Sequence, residues 1–226
     1  MKTLKKIWWR LLFASYVLIY LPWFFFLENK ITMDYPGIHI INGPLDDYIP
    51  FLEIFIIPYL LWFAYILSAC IFMLLKASNQ EFISFALSLI IGMSACMLIC
   101  MIYPNGLTLR PESLSDNIFG KLIAGLYATD TPTNVFPSIH VYNSVAVHIA
   151  LSRCKALNGH SAIKRASLVL CILICMSTVF LKQHSLYDVA GGILLMGFIY
   201  YILYVLPEKR AQKAAQIQNH YAGADE

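Results

Sequence analysis

The stretch FLEIFIIPYLLWFAYILSACIFMLL occupies residues 51–75, and a second apolar run, from Phe82 to Ile102, follows it after the short polar segment KASNQE. About 20 consecutive apolar residues suffice for a helix to cross the ~30 Å hydrocarbon core of a bilayer, and both runs reach that length. A linker this short joins antiparallel neighbours. The two runs therefore predict a transmembrane helical hairpin.

Four further apolar blocks extend this pattern over the whole chain. Hydrophobic residues make up 59% of the sequence and charged residues 13%, against about 25% charged in soluble proteins. The blocks are Trp8–Leu27 and Leu186–Leu206, which have full length, and Ala166–Leu181 and Pro137–Leu151, which are shorter. We predict an all-α polytopic membrane protein with six transmembrane helices in residues 1–206, followed by a polar cytoplasmic tail, 207–226.

The positive charges indicate the orientation. With six spans and a cytoplasmic N-terminus, only four of the 16 Lys and Arg residues lie outside, namely Lys30, Arg110, Lys121 and Lys182. This asymmetry is the one that the positive-inside rule requires. Both termini are therefore predicted to be cytoplasmic in a protein integral to the plasma membrane. The basic residues are scattered over separate segments, which argues against a nucleic-acid partner.

The outer segment between spans three and four carries a helical pattern of its own. Apolar residues recur at helical spacing, at Ile118, Phe119, Leu122, Ile123 and Leu126. We predict an interfacial helix on the outer membrane surface. It is either a cap packed on the bundle, a gate for lipid entry, or both.

Three polar clusters fall at the outer ends of spans three, four, and five to six: Arg110-Pro111, Pro137-Ser138-Ile139-His140, and Lys182-Gln183-His184 with Asp188. Ionisable residues at a membrane tend to mark function. A carboxylate four residues from His184 fixes the imidazole tautomer and leaves the second nitrogen free to attack. The clusters therefore predict one extracytoplasmic site built on His184 and Asp188.

The remaining polar residues complete a phosphoryl-transfer site. His140 is suited to protonate a leaving oxygen and then activate water. Ser138 begins a helix whose amides bind anions, and Arg110 and Lys182 carry the positive charges for phosphate. Lys182 alternatively is a snorkelling surface lysine. No metal-ligand spacing accompanies the clusters, so neither a metal nor a cofactor is predicted.

These residues resemble the type-2 phosphatidic acid phosphatase (PAP2) superfamily, whose motifs on successive spans read RP, PSGH and SR followed by H-xxx-D. The resemblance implies that His184 is the phosphate-accepting nucleophile, Asp188 its orienting partner and His140 the acid/base, with Arg110 and Ser138 as phosphate ligands. Three positions depart from the pattern: Tyr103 replaces a lysine, Ile139 the glycine and Thr178 the arginine. Lys182 is predicted to supply the positive charge of the missing arginine.

With these departures, the sequence is similar to the branch of the superfamily that contains the inositol phosphorylceramide synthases. The leading hypothesis is a membrane lipid phosphatase that hydrolyses a phosphate monoester or diphosphate, of a phosphatidate-like lipid or a polyprenyl diphosphate, through a phosphohistidine. A lipid headgroup phosphotransferase resembling inositol phosphorylceramide synthase is the alternative. A non-catalytic lipid carrier is the third hypothesis. A carrier needs no nucleophile oriented by a carboxylate, so the two histidines and the aspartate argue against it. The sequence leaves the lipid and the oligomeric state open.

Overall fold

The computed structural model describes residues 2–222 and confirms an all-α architecture. The strands in this part of the chain are two pairs of residues, β1 His39–Ile40 and β2 Asn105–Gly106. The helices are α1 Lys2–Ala14, α2 Val17–Lys30, α3 Ile56–Lys76, α4 Asn79–Ile102, α5 Ile118–Thr129, α6 Ile139–Arg153, α7 Ser161–Phe180, α8 Leu186–Tyr200 and α9 Leu206–Ala222.

Within residues 2–222, five helical segments are long and apolar enough to cross a membrane: Ile7–Lys30, Glu53–Lys76, Asn79–Ile102, Ser161–Phe180 and Leu186–Ile217. They coincide with five of the six predicted spans. The sixth predicted span coincides with α6, whose 15 residues fall short of that length. The final segment includes α9, which follows α8 through a π-helical turn, so the start of the predicted tail is helical and continuous with the last span.

Helix α6 lies at the centre of the bundle and packs against α3, α4, α7 and α8. Tyr142, fully buried, donates a 2.7 Å hydrogen bond to the Ser88 carbonyl of α4. A Cβ on Gly92 would lie 1.9 Å from the Tyr142 ring, so glycine is needed at that crossing. Because other helices surround α6, its sequence does not have to be apolar throughout, and it accommodates His140 and Asn143.

Although α6 has only 15 residues, it runs from one end of the bundle to the other. Its last residue, Arg153, forms an ion pair with Glu208 at the start of α9. Two residues later, the Lys155 amide donates to Glu81, in the first turn of α4, at 2.8 Å. Its first residue lies among the segments that precede α3 and follow α4, at the opposite end. We call these the inner and outer ends, respectively.

The outer end is closed by loops that are hydrogen-bonded to each other. Strands β1 and β2 pair in parallel, and Gly106 also bridges to Thr133. The predicted helix after the third span is α5, and Ile123 on it is fully buried, whereas Ile118 is 64% exposed. Helix α5 is therefore packed on the bundle by one face only. Its position at a membrane interface stays a prediction.

Candidate active site

The turn between α7 and α8 presents the first histidine. Helix α7 ends at Phe180, and two residues later Lys182 adopts the left-handed backbone conformation, with φ 53°. The amides of Gln183 and His184 both donate to the Thr178 carbonyl at 3.0 Å, which satisfies the end of the helix. Ser185 then caps α8. His184 is thus held in a tight corner between two helix ends.

Asp188 reaches His184 through the capping of α8. Ser185 and Asp188 form a capping box, in which Asp188 Oδ2 accepts the Ser185 amide at 2.8 Å. The same oxygen lies 3.4 Å from His184 Nδ1. The spacing of four residues, from which the sequence predicted this pair, is that of two side chains on one face of a helix. Instead, His184 precedes the helix, and the carboxylate folds back over the N-cap to meet it.

His140 lies in the first turn of α6, two residues after the N-cap residue Ser138. The Ser138 hydroxyl accepts the Val141 amide at 3.4 Å, and the Ser138 amide donates to the Asp188 carbonyl at 3.0 Å. A Cβ on Gly192 would lie 2.8 Å from the Ser138 carbonyl oxygen. The starts of α6 and α8 are therefore in backbone contact, and this contact sets the distance between the histidines.

The two histidines meet at that point. His184 Nε2 lies 3.4 Å from His140 Nδ1, and both side chains are buried. The His140 ring is flanked by the rings of Tyr59, at 4.8 Å between centroids, and Trp62, at 4.6 Å. Asp188, His184 and His140 thus form a continuous chain, with the carboxylate at one end and an imidazole held between aromatic rings at the other.

Arg110 lies beside this chain rather than in it. Its guanidinium donates to the carbonyls of Tyr127, at 3.2 Å, and Asp130, at 2.5 Å, and to the side-chain oxygen of Gln183, the residue before His184. Burial lowers the Arg110 pKa, and the nearby Asp130 carboxylate acts in the opposite direction. A phosphate oxygen would reach this guanidinium by replacing one of these acceptors.

Lys182 is not brought into the site. Its ammonium donates to the carbonyls of Asp46, at 2.7 Å, and Ile49, at 2.6 Å, in the loop before α3. Burial lowers the Lys182 pKa, whereas the carboxylates of Asp46 and Asp47 act to raise it. In this geometry Lys182 fastens the first outer loop to the α7–α8 turn. Its predicted contact with phosphate stays a prediction.

A pocket of about 620 Å³ opens onto the two histidines. Its polar end is formed by Glu28, Thr129, Asp130, Thr133, Asn134, His140, Gln183 and His184, and side chains of α2, α3 and α4 make the rest of its wall apolar. Asp188 supports the pocket from behind, and Ser138, fully buried, is not part of its lining. Within residues 2–222 we find no group of three His, Cys, Asp or Glu side chains arranged to hold a metal ion.

Two carboxylates in the pocket were not predicted. Asp130 Oδ2 accepts the Tyr59 hydroxyl at 2.6 Å, and Glu28 accepts the Thr131 hydroxyl at 2.5 Å. The sequence offers a weak signal for each: Glu28 ends an apolar block, and Asp130 lies shortly before the second motif. Only folding brings these two segments together with His140.

Comparison with known protein families identifies a region that contains most of these residues. Residues 126–212 match the family model of the PAP2 superfamily. This stretch, about two fifths of the chain, is thus similar to the PAP2 superfamily. The match includes Ser138, His140, His184 and Asp188, and Arg110 precedes it. Searches of curated proteins and of solved structures give no significant match.

The match confirms the family resemblance and implies phosphatase-type activity on phosphate esters. The matched region contains both histidines and the aspartate that meet at the polar end of the pocket. The similarity to the inositol phosphorylceramide synthase branch stays a prediction.

Proposed function

We propose that this PAP2 protein is a membrane lipid phosphatase that hydrolyses a phosphate monoester or diphosphate through a phosphohistidine, on the extracytoplasmic side of the plasma membrane. One observation carries the proposal: the chain Asp188–His184–His140 closes the polar end of a pocket whose remaining wall is apolar. Such a pocket suits a ligand with a charged head and a hydrocarbon body.

In the first step, His184 attacks phosphorus. Asp188 faces Nδ1 and holds the proton there, which leaves Nε2 with a free electron pair on the side of His140. The new bond joins Nε2 to phosphorus, and the bond from phosphorus to the lipid oxygen breaks. His140 donates its proton to that oxygen, so the lipid leaves as an alcohol or, from a diphosphate, as a monophosphate.

In the second step, the neutral His140 takes a proton from water. The hydroxide forms a bond to phosphorus, the bond to His184 Nε2 breaks, and inorganic phosphate is released. The phosphoryl group takes its place between the two imidazoles, so the histidines move apart from their 3.4 Å contact when substrate binds.

Phosphate is held by groups around the histidines. Helix α6 begins at Ile139, and its Val141 amide donates to the Ser138 hydroxyl. The amides of Ile139 and His140 have no acceptor within the helix and are available to an anion. Arg110 lies on the other side of the histidines, where it is bonded to Gln183, the residue before His184. Both contribute positive potential at the end of the pocket where the phosphorus must lie.

A headgroup phosphotransferase is the second candidate, and the pocket carboxylates favour it. Glu28 and Asp130 line the same polar end as the histidines, and a carboxylate accepts a hydrogen bond from an alcohol as readily as from water. An alcohol held there would attack the phosphohistidine in place of water. The two candidates share the first step and differ only in the acceptor.

Purified protein incubated with phosphatidate and with polyprenyl diphosphates, each with and without an added alcohol, tests both candidates. We expect release of inorganic phosphate from wild type in the presence of chelator, and its loss in His184→Gln. The matched control is His148→Gln, which changes a half-buried histidine of α6 that does not line the pocket. Transfer to the alcohol without free phosphate would support the phosphotransferase, and no turnover in any mixture would refute both.

A further inference from the structure

A second cavity continues the catalytic pocket toward the inner end of the bundle. It has a volume of about 350 Å³ and an almost entirely apolar wall. Both cavities are lined by Val17, Tyr20 and Met93, so they meet beside the first turn of α2 and the middle of α4. We call the combined space the α2–α3 groove; it starts at His140 and ends at Arg10.

The groove exists because α2 packs mainly on α4 and leaves one face of α3 uncovered. That face is a stripe at helical spacing: Tyr59, Phe63, Leu67, Cys70, Ile71 and Leu74 all line the groove. Across the gap, the rings of Tyr16, Tyr20 and Phe24 follow each other along the first span. Aromatic and aliphatic walls on both sides favour a hydrocarbon ligand.

The inner end of the groove is closed by a buried cation. Arg10 has no exposed surface, and its guanidinium donates to the carbonyls of Leu74, at 2.6 Å, and Ala77, at 2.9 Å, and to the side chain of Asn79. Opening this end would leave these acceptors without partners, which is costly in an apolar surrounding. A chain in the groove therefore ends at Arg10.

The length of the groove decides which chain fits. From Tyr59, beside His140, to Leu74, beside Arg10, α3 rises about 22 Å at ~1.5 Å per residue. One leaflet is about half of the ~30 Å hydrocarbon core, or about 15 Å. The groove is thus longer than the space that an acyl chain occupies in its own leaflet.

From this continuity and length we infer that the α2–α3 groove binds one hydrocarbon chain that passes the bilayer midplane. The substrate class is accordingly a polyprenyl phosphate or diphosphate, and the two-chain glycerolipids are disfavoured. This inference rests on the proposed phosphatase function. It assigns the phosphate to the histidines and the chain to the apolar face of α3, with Arg10 as the limit of its length.

Chain-length dependence tests the inference. Phosphate release from geranyl and geranylgeranyl diphosphate is measured on the same detergent-solubilised protein, with dioleoyl phosphatidate as the two-chain comparison. We expect kcat/KM to be at least about tenfold higher for the longer prenyl chain, because each added buried methylene favours binding. We also expect it to exceed kcat/KM for phosphatidate.

Ile71→Trp narrows the inner half of the groove, and Leu75→Trp is its control. The two side chains are 49% and 52% exposed on the same helix, and only Ile71 lines the groove. Ile71→Trp should remove most of the preference for the longer chain, and Leu75→Trp should keep it. A preference that survives Ile71→Trp, or a higher kcat/KM for phosphatidate, would overturn the inference while the phosphatase function stands. No phosphate from any substrate would overturn both.

Discussion

His184 Nε2 lies 3.4 Å from His140 Nδ1, although the two residues are 44 positions apart. Each imidazole is supported by a different element: the α8 cap supports His184 through Asp188, and α3 supports His140 through Tyr59. The facing nitrogens have room for one proton between them. The pair is thus set up to exchange a single proton, which is what a nucleophile and a general acid need from each other.

The first prediction is that His184 carries the phosphate. With an aryl phosphate, whose leaving group needs no proton, His140→Ala should still transfer phosphate to His184 but release it slowly. An acid-labile phosphoenzyme should then accumulate, measurable with ³²P-labelled substrate after a rapid quench. His184→Ala should form none.

The double variant is the control for this prediction. Because the histidines act as a unit, it should be little slower than either single variant. Phosphate found on another residue, or near-normal turnover in His184→Ala, would show that the nucleophile assignment is wrong.

The second prediction concerns the contact between α6 and α8. Gly192→Ala would place a Cβ 2.8 Å from the Ser138 carbonyl oxygen. The two helix starts must then separate, and with them the histidines, so we expect kcat to fall by about 100-fold. Gly197→Ala on the same helix meets nothing within 4 Å and should leave kcat unchanged. Equal activity of both variants would show that the spacing of α6 and α8 is not critical.

The sequence predicts much of this fold because membrane spans depend on local composition. The helices α3 and α4 need nothing but their own apolar runs, and the prediction placed their ends to within one residue and their starts to within five. Helix α6 shows the limit. Its neighbours shield it from lipid, so its short and partly polar sequence does not reveal whether it crosses the membrane as a span.

The candidate catalytic residues could be predicted from the sequence, and their surroundings could not. His140, His184 and Asp188 carry recognisable spacing, and the structure brings them together. Glu28 and Asp130 enter the same pocket from segments about 100 positions apart in the chain, linked by the Glu28–Thr131 hydrogen bond. No local pattern encodes such a contact, because it depends on how the outer loops pack over the bundle.

The third prediction separates two roles for Lys182. As a phosphate ligand, it would be needed for binding inorganic phosphate, the product. As an anchor on the Asp46 and Ile49 carbonyls, it would be needed for stability. We expect Lys182→Met to lower the thermal unfolding midpoint and to leave inhibition by phosphate within about twofold of wild type, since the ammonium makes hydrogen bonds of the charged kind. Clearly weaker inhibition by phosphate would instead support the prediction that Lys182 binds phosphate.

The fourth prediction tests the orientation of the bundle. Single cysteines at positions 110 and 164, in a cysteine-free background, are probed in intact cells with a membrane-impermeant thiol reagent. The charge asymmetry predicts labelling at 110 and protection at 164. Labelling of 164 alone would invert the topology and move the site to the cytoplasmic side.

The fifth prediction concerns Asp130, one of the two carboxylates that line the pocket together with His140. It accepts the Tyr59 hydroxyl at 2.6 Å, and the Tyr59 ring packs on His140. A negative charge there stabilises the protonated imidazole, which is the form that must protonate the leaving oxygen. Asp130→Asn keeps the shape and removes the charge, so turnover of a lipid phosphate should fall about tenfold or more.

A comparison of leaving groups distinguishes this role of Asp130 from simple packing. With an aryl phosphate that needs no proton, Asp130→Asn should form the phosphoenzyme at nearly the wild-type rate. Tyr59→Phe is the control, because it removes the hydroxyl that donates to Asp130 and keeps both the ring against His140 and the carboxylate charge. It should therefore slow the lipid reaction less than Asp130→Asn does. If Asp130→Asn slows formation of the phosphoenzyme equally with both leaving groups, the carboxylate acts by shaping the pocket and not by supporting the acid.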